Sequence, residues 1–273
     1  CLDGVAEHGK ALSSDYKANR DAGSVHTAFD DLGVLVECSL AFKGVTVAFH
    51  RSLEADEIIS YFVHSKKAHY DRVIIYSADG DMLQLLAAGD NIFIAKEFNR
   101  DGMLSLVDSN VYGTNEHYLD KFVGTDLEVL PLYRAIVGDS SDNLAGFPRI
   151  RRKVAKEISE KYRTTERVAG GCLAGDPLFP EGFKSFLGSL NVNYEIMKLP
   201  TPYDLEQRGT VPHVYDKTDN PGVAQTLYSL YRIRSTSPVE TLSLDEDGEQ
   251  SALSIREVIN DNWRHPNSSN KRN

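Results

Sequence analysis

The chain has 273 residues, with 40 Asp and Glu against 30 Lys and Arg and a formal net charge of −10 at pH 7. That length can bury a sizeable core in one large or two modest domains, and the acidic balance excludes a protein that grips nucleic acid by overall positive charge. Cys1, Cys38 and Cys172 are odd in number and lack metal-ligand spacing, which excludes a disulfide framework and a zinc cluster.

In chain order, residues 1–50 read as the end of a strand, a helical segment around Lys17 to Phe42 and the strand Val45–Phe49. Residues 51–112 add two βα units: a helix through Ile58–Val63, the strand Val73–Tyr76 with a helix over Met82–Ala88, and a short strand Asn91–Ala95. From Asn115 the pattern turns helical, with helices predicted over Glu116–Phe122, Val129–Val137, Arg152–Tyr162 and Glu181–Leu190. Residues 193–200 read as a strand returning to the sheet, and residues 239–273 as a flexible tail. No run is long and apolar enough to span a bilayer, and the N-terminus lacks a signal-peptide layout. With the unpaired cysteines, these features predict a soluble protein of a reducing compartment without membrane partners.

Acidic pairs mark the chemistry. Glu54, Asp56 and Glu57 follow one predicted strand and open a helix, as do Asp79 and Asp81 after the next, where open parallel sheets place ligands. A third group, Asp139 and Asp142, lies in Gly-Asp-Ser-Ser-Asp-Asn-Leu-Ala-Gly-Phe-Pro at residues 138–148. Each pair alone could be a helix N-terminus favoured by the dipole. Together with Asp3 they carry more negative charge than one cation offsets, and without metal they would repel one another and raise one another's pKa values. Mg2+ takes such oxygen ligands and shares them with substrate phosphates, and two such ions hydrolyse phosphodiesters. Residues 149–163 follow at once with seven Lys and Arg against Glu157 and Glu160, a stretch suited to a duplex backbone.

Four ordered segments carry a family resemblance: Asp15-Tyr16-Lys17-Ala18-Asn19-Arg20, Glu54-Ala55-Asp56-Glu57, Ser77-Ala78-Asp79-Gly80-Asp81 with the leucines after it, and residues 138–148. Over about residues 1–200 the chain resembles the 5′-nucleases, the 5′-to-3′ exonuclease domains of bacterial DNA polymerase I and the phage flap endonucleases. The resemblance implies an α/β fold with a PIN-like parallel-sheet core, helices on both faces and a helical helix-hairpin-helix-type (H3TH) DNA-binding region. It divides the chain into a catalytic core with a helical arch over 1–125, the H3TH region and return to the core over 126–238, and the tail. It implies metal-dependent exonuclease or flap endonuclease activity with two Mg2+ or Mn2+ ions, on DNA with single-strand/duplex junctions and on RNA primers. Association with replication proteins in the cytoplasm of a bacterial or phage-infected cell follows from the same likeness.

Residue by residue, Asp3, Glu54, Asp56, Glu57, Asp79 and Asp81 fall on the family's metal carboxylates, and Asp139 and Asp142 on its second-site pair. Lys17 and Arg20 fall on basic residues that reach the scissile phosphate, beside Tyr16, which could stack on a base. Arg149, Arg151, Arg152 and Lys153 fall in the DNA-binding stretch. The chain departs from the pattern in four places. The opening strand with the first metal aspartate is absent, Glu57 stands where Asp is frequent, and no basic-aromatic pair follows Asp3. The Gly-Ile-Gly turn that cradles a phosphate or K+ reads Arg149-Ile150-Arg151, and arginine does not cheaply reproduce glycine's left-handed backbone. The alternative to an enzyme is a catalytically impaired, structure-specific DNA-binding module. The histidines show no paired ligand spacing and are read as ordinary surface or core residues.

Overall fold

The computed structural model describes residues 1, 4, 6–18, 47–98 and 104–215. Nearly all of them belong to one compact unit, Cys1–Asp21 with Ala48–His213; the second unit, Ala22–Val47 with Val214–Asn273, contributes only Val47, Val214 and Tyr215 to the described residues. Asp3, Arg20, most of the helical segment predicted for 17–42 and the predicted tail lie outside them.

The chain opens with a short helix α1 (Glu7–Leu12), and strand β1 (Val47–Phe49) leads into helix α2 (Ala55–Lys66). Strand β2 (Val73–Tyr76) pairs in parallel with β3 (Ile92–Phe98), from Val73 opposite Ile92 to Tyr76 opposite Ala95. The sheet order is β2-β3-β4, and β4 (Leu104–Val107) runs antiparallel to β3. The described sheet is therefore mixed and not parallel throughout, because residues 99–103 between β3 and β4 are too few for the crossover a parallel pair needs. Ile92 and Ile94 are buried on it, as expected of strands covered by helices.

Between β2 and β3 the predicted helix is a 3₁₀ helix, Gly80–Ala88. Its buried residues are Met82 with Leu85 and Leu83 with Leu86, spacings of three that a three-residue turn stacks on one side. Asp79 caps it by accepting the Asp81 N–H at 2.9 Å.

Two short helices, α3 (Ser109–Thr114) and α4 (Glu116–Phe122), precede α5 (Leu130–Val137), which ends at Gly138 with φ +86°. There the chain folds into a two-stranded hairpin, β5 (Gly138–Asp139) against β6 (Leu144–Ala145). Gly146 must be glycine, since a Cβ there would run into the Val137 carbonyl. Helices α6 (Arg152–Tyr162), α7 (Thr165–Leu173), α8 (Phe183–Met197) and α9 (Pro202–Gln207) follow, before strand β7 (His213–Tyr215).

The strand expected over 193–200 is a correction: α8 continues to Met197. Its buried positions, Phe183, Phe186, Leu190, Asn193 and Met197, alternate spacings of three and four, the period of a helical face. Asn193 belongs to that face because its amide donates to the carbonyls of Ala135 at 3.1 Å and Ala145 at 2.9 Å. One apolar core joins Ile75, Ile92 and Ile94 of the sheet to Leu132 and Ile136 of α5, Ile158 of α6 and Phe183 of α8. Hairpin and sheet are thereby parts of one packed body.

Candidate functional site

The first acidic group sits at the N-terminus of α2. Glu54 is its N-cap and Glu57 closes the turn, its Oε2 accepting the Glu54 N–H at 3.0 Å. Tyr16 donates its hydroxyl to Glu54 Oε2 at 2.9 Å, and Lys17 forms an ion pair with Glu54. Arg208, just beyond α9, pairs with Glu57 at 3.1 Å. Asp56 forms no ion pair among the described residues, and Lys17 offsets its charge only in part. Burial, then the neighbouring carboxylates of Glu54 and Glu57, push its pKa up to about 7. Glu57 is also raised, chiefly by burial, with the Glu54 N–H and Arg208 opposing.

The second and third groups meet through a residue of α5. Asp81 follows β2 and Asp139 lies in the hairpin, and Arg134 forms ion pairs with both. Asp139 also accepts from the Ser141 N–H at 2.8 Å and from its hydroxyl. Burial works against ionisation of Asp139, yet these Ser141 hydrogen bonds and the guanidinium outweigh it and hold the carboxyl below its ordinary range. The hairpin reaches the first group as well. The Lys17 N–H donates to the Asp142 carbonyl at 3.0 Å, and the Asn143 amide donates to the Asp15 carbonyl at 2.9 Å.

One connected arrangement therefore runs from Asp81 through Arg134 to Asp139, along the hairpin to Asp142, through Lys17 to Glu54, and on to Asp56 and Glu57. All three sequence-distant pairs are parts of it. Among the described residues no three His, Cys, Asp or Glu side chains converge as a ready-made metal shell, and Lys17, Arg134 and Arg208 occupy four of the carboxylates. The donor set still suits a hard divalent cation: every candidate ligand is a carboxylate oxygen, and Asp56 is a half-buried acid whose charge Lys17 offsets only in part.

Tyr16 differs from its expected role. Its ring is buried, 5% exposed, against Gly9, where a Cβ would come within 2.5 Å of the ring. It supports Glu54 and presents no face for a base to stack on. In the basic stretch, Lys156 pairs with Glu160, Lys161 with Asp176, and Arg163 with Asp126 and Glu128. Arg152 donates to the Asp120 carbonyl at 3.2 Å, so it is partly engaged and not a free cation. Arg149, Arg151 and Lys153 are exposed, and their side chains make no hydrogen bond or ion pair among the described residues. Arg149 adopts φ +55°; the left-handed backbone is kept here with an arginine, at a cost of about 1 kcal/mol.

Sequence reading missed Arg134 and Arg208. Arg134 had a signal, being the lone charge in Leu-Pro-Leu-Tyr-Arg-Ala-Ile-Val just before Gly138-Asp139. Nothing local marks Arg208, whose partner lies 151 residues away.

No protein-family model matches the chain. A 5′-3′ exonuclease of Aquifex aeolicus is 29% identical over 198 residues, covering 71% of this chain and 61% of the relative. One from Mycoplasma genitalium is 31% identical over 134 residues, covering 49% and 43%. DNA polymerase I of Mycobacterium tuberculosis is 27% identical over 199 residues, 71% of this chain but 20% of the relative. The chain thus spans about half the length of the exonucleases it matches. The crystal structure of bacteriophage T5 D15 protein with metal ions aligns at a TM-score of 0.56 and 21% identity, over 75% of this chain and 74% of that one. A T5 D15 flap endonuclease complex with DNA and metal ions aligns at 0.53 and 18%, over 94% and 82%. These structures share with the chain a PIN-like α/β fold.

Proposed function

We propose that this chain, which belongs to the 5′-nuclease family, is a metal-dependent 5′-to-3′ exonuclease or flap endonuclease that hydrolyses phosphodiester bonds of DNA at 5′ ends and branched junctions. The observation that carries the reading is the continuous linkage of the acidic groups around Glu54, Asp81 and Asp139 through Lys17 and Arg134. Such a concentration of acids on the partly exposed side of an α/β core has little structural use, whereas it suits cation-assisted phosphoryl chemistry.

Glu54, Asp56, Glu57, Asp79 and Asp81 would hold one Mg2+ or Mn2+, with Asp3 from outside the described residues, and Asp139 and Asp142 a second. When bound, such ions lower the pKa of attacking water and offset charge on the leaving oxygen. Lys17, held between Glu54 and the Asp142 carbonyl, is placed to meet the negative charge of a phosphate brought to the carboxylates, with Arg20 following it in sequence. Arg149, Arg151 and Lys153, which make no ion pair among the described residues, would track the duplex backbone, while Arg152 anchors α6 to α4. The DNA and metal ions bound in the T5 D15 complex support this assignment of ligand classes, and RNA primers and replication proteins complete the proposed set of partners.

The test is cleavage of a 5′-labelled flap substrate by wild type and Asp79→Asn, with Mg2+, Mn2+ or EDTA. Product from wild type only with a divalent ion, and none from a folded Asp79→Asn, is expected. Cleavage that persists in EDTA or in the variant would overturn the reading. The absence of three converging carboxylates among the described residues favours a second one, a DNA-binding module without catalysis. Structure-specific flap binding with no cleavage in any divalent ion would establish it.

A further inference from the structure

Arg134 has no part in the proposed reaction, yet its placement is the least expected in the fold. In α5, Leu130, Pro131, Leu132, Tyr133, Ala135 and Ile136 are buried, and Arg134 is the helix's one charged side chain, 14% exposed. A guanidinium so far out of water is costly unless carboxylates meet it. Two do, from different segments: Asp81 beyond β2 and Asp139 in the hairpin. A guanidinium that hydrogen-bonds to Asp139 and forms an ion pair with Asp81 ties their positions together as well as offsetting their charge. Its two partners belong to the two acidic groups that the metal reading assigns to separate ions.

We propose that Arg134 is a positioning residue that holds Asp81 and Asp139 together in the metal-free protein, and that a divalent cation binding either carboxylate must compete with it. Arg134 thereby sets how tightly the site takes its metal. The inference rests on the metal assignment above and deepens it: the affinity of the carboxylates is governed by a tethered cation that they already hold. Removing Arg134 has two opposite consequences. The two carboxylates lose their counter-charge and repel across the junction of sheet and hairpin, while a mobile cation meets less competition there.

The experiment uses the whole chain. Melting temperatures in EDTA are compared for wild type, Arg134→Gln, and Arg134→Gln combined with Asp81→Asn and Asp139→Asn; Mn2+ uptake is titrated by the loss of the free-ion paramagnetic resonance signal. Arg134→Gln should melt lower by roughly 5 °C or more, with most of the loss regained in the triple variant. It should also bind Mn2+ about fivefold or more tightly than wild type. Arg134→Lys, which keeps the charge but not the fork, should fall between the two and covers the case in which Arg134→Gln does not fold. Equal melting temperatures of wild type and Arg134→Gln in EDTA, or Mn2+ affinity that is unchanged or weaker in Arg134→Gln and Arg134→Lys, would overturn the inference. If no protein takes up Mn2+, the metal reading itself fails, while the melts still decide whether Arg134 holds the two carboxylates.

Discussion

Asp56→Asn should stabilise the metal-free protein at alkaline pH and do little at acid pH. The side chain is half-buried, and its desolvation with the charges of Glu54 and Glu57 outweighs Lys17 and moves the pKa from 3.8 to about 7. Below about pH 4 it is protonated in both folded and unfolded chains, so its burial carries no charge penalty. As pH rises towards 7 the unfolded chain releases the proton and the folded chain keeps it, and stability falls steadily. Above pH 7 the folded chain must also ionise, and the full cost is reached. The gap between the ordinary and the folded value corresponds to roughly 4 kcal/mol. Asparagine removes the charge and keeps an oxygen that can accept the Glu57 N–H, now bound by Asp56 at 2.7 Å. Allowing for the burial of an amide, a gain of about 2–4 kcal/mol at pH 8 and under about 1 kcal/mol at pH 4 is expected. Urea denaturation in EDTA across pH 4–8 measures it. Mg2+ at pH 8 should then raise the stability of wild type more than that of the variant, since only wild type offers the carboxylate. A gain that is absent, or equal at both ends of the pH range, would refute the argument that desolvation and neighbouring carboxylates disfavour the Asp56 anion.

Lys17→Ala removes the cation paired with Glu54, and single-turnover flap cleavage should slow by about 10²–10³-fold while DNA affinity changes little, because a cation at a reacting phosphate matters most in the transition state. Replacing Arg149, Arg151 and Lys153 together by Ala should weaken duplex binding and reduce the slope of log affinity against log salt by about 2–3, as fluorescence anisotropy at several salt concentrations would show. Gly146→Ala places a Cβ against the Val137 carbonyl and should cost roughly 3 kcal/mol or more in thermal melts. Gly170→Ala, in α7 with open space around its Cβ position, should instead stabilise by about 0.5–1 kcal/mol.

Local chemistry was legible in the sequence. The acidic pairs are helix-opening or turn motifs set by neighbours a few residues away, so Glu54, Asp56, Asp79, Asp81, Asp139 and Asp142 stand out from residue order alone, together with the family they resemble. The helices over 116–122 and 152–162 followed from apolar spacing for the same reason. What tertiary structure decided is the balance of charge. Sequence counts the acids and predicts mutual repulsion, but Lys17, Arg134 and Arg208 arrive from distant segments to pair with Glu54, Asp81, Asp139 and Glu57, and leave Asp56 without an ion pair among the described residues. Residue order suggests that Tyr16 could stack on a base, whereas the absence of a side chain at Gly9, which lets the ring bury, is a fact about packing. The strand predicted at 193–200 became the last turns of α8 because Asn193 finds carbonyls of α5 and β6. A polar residue on a buried helical face is intelligible only once its partners are in place, since periodicity records which positions are apolar and not which polar groups the fold will satisfy.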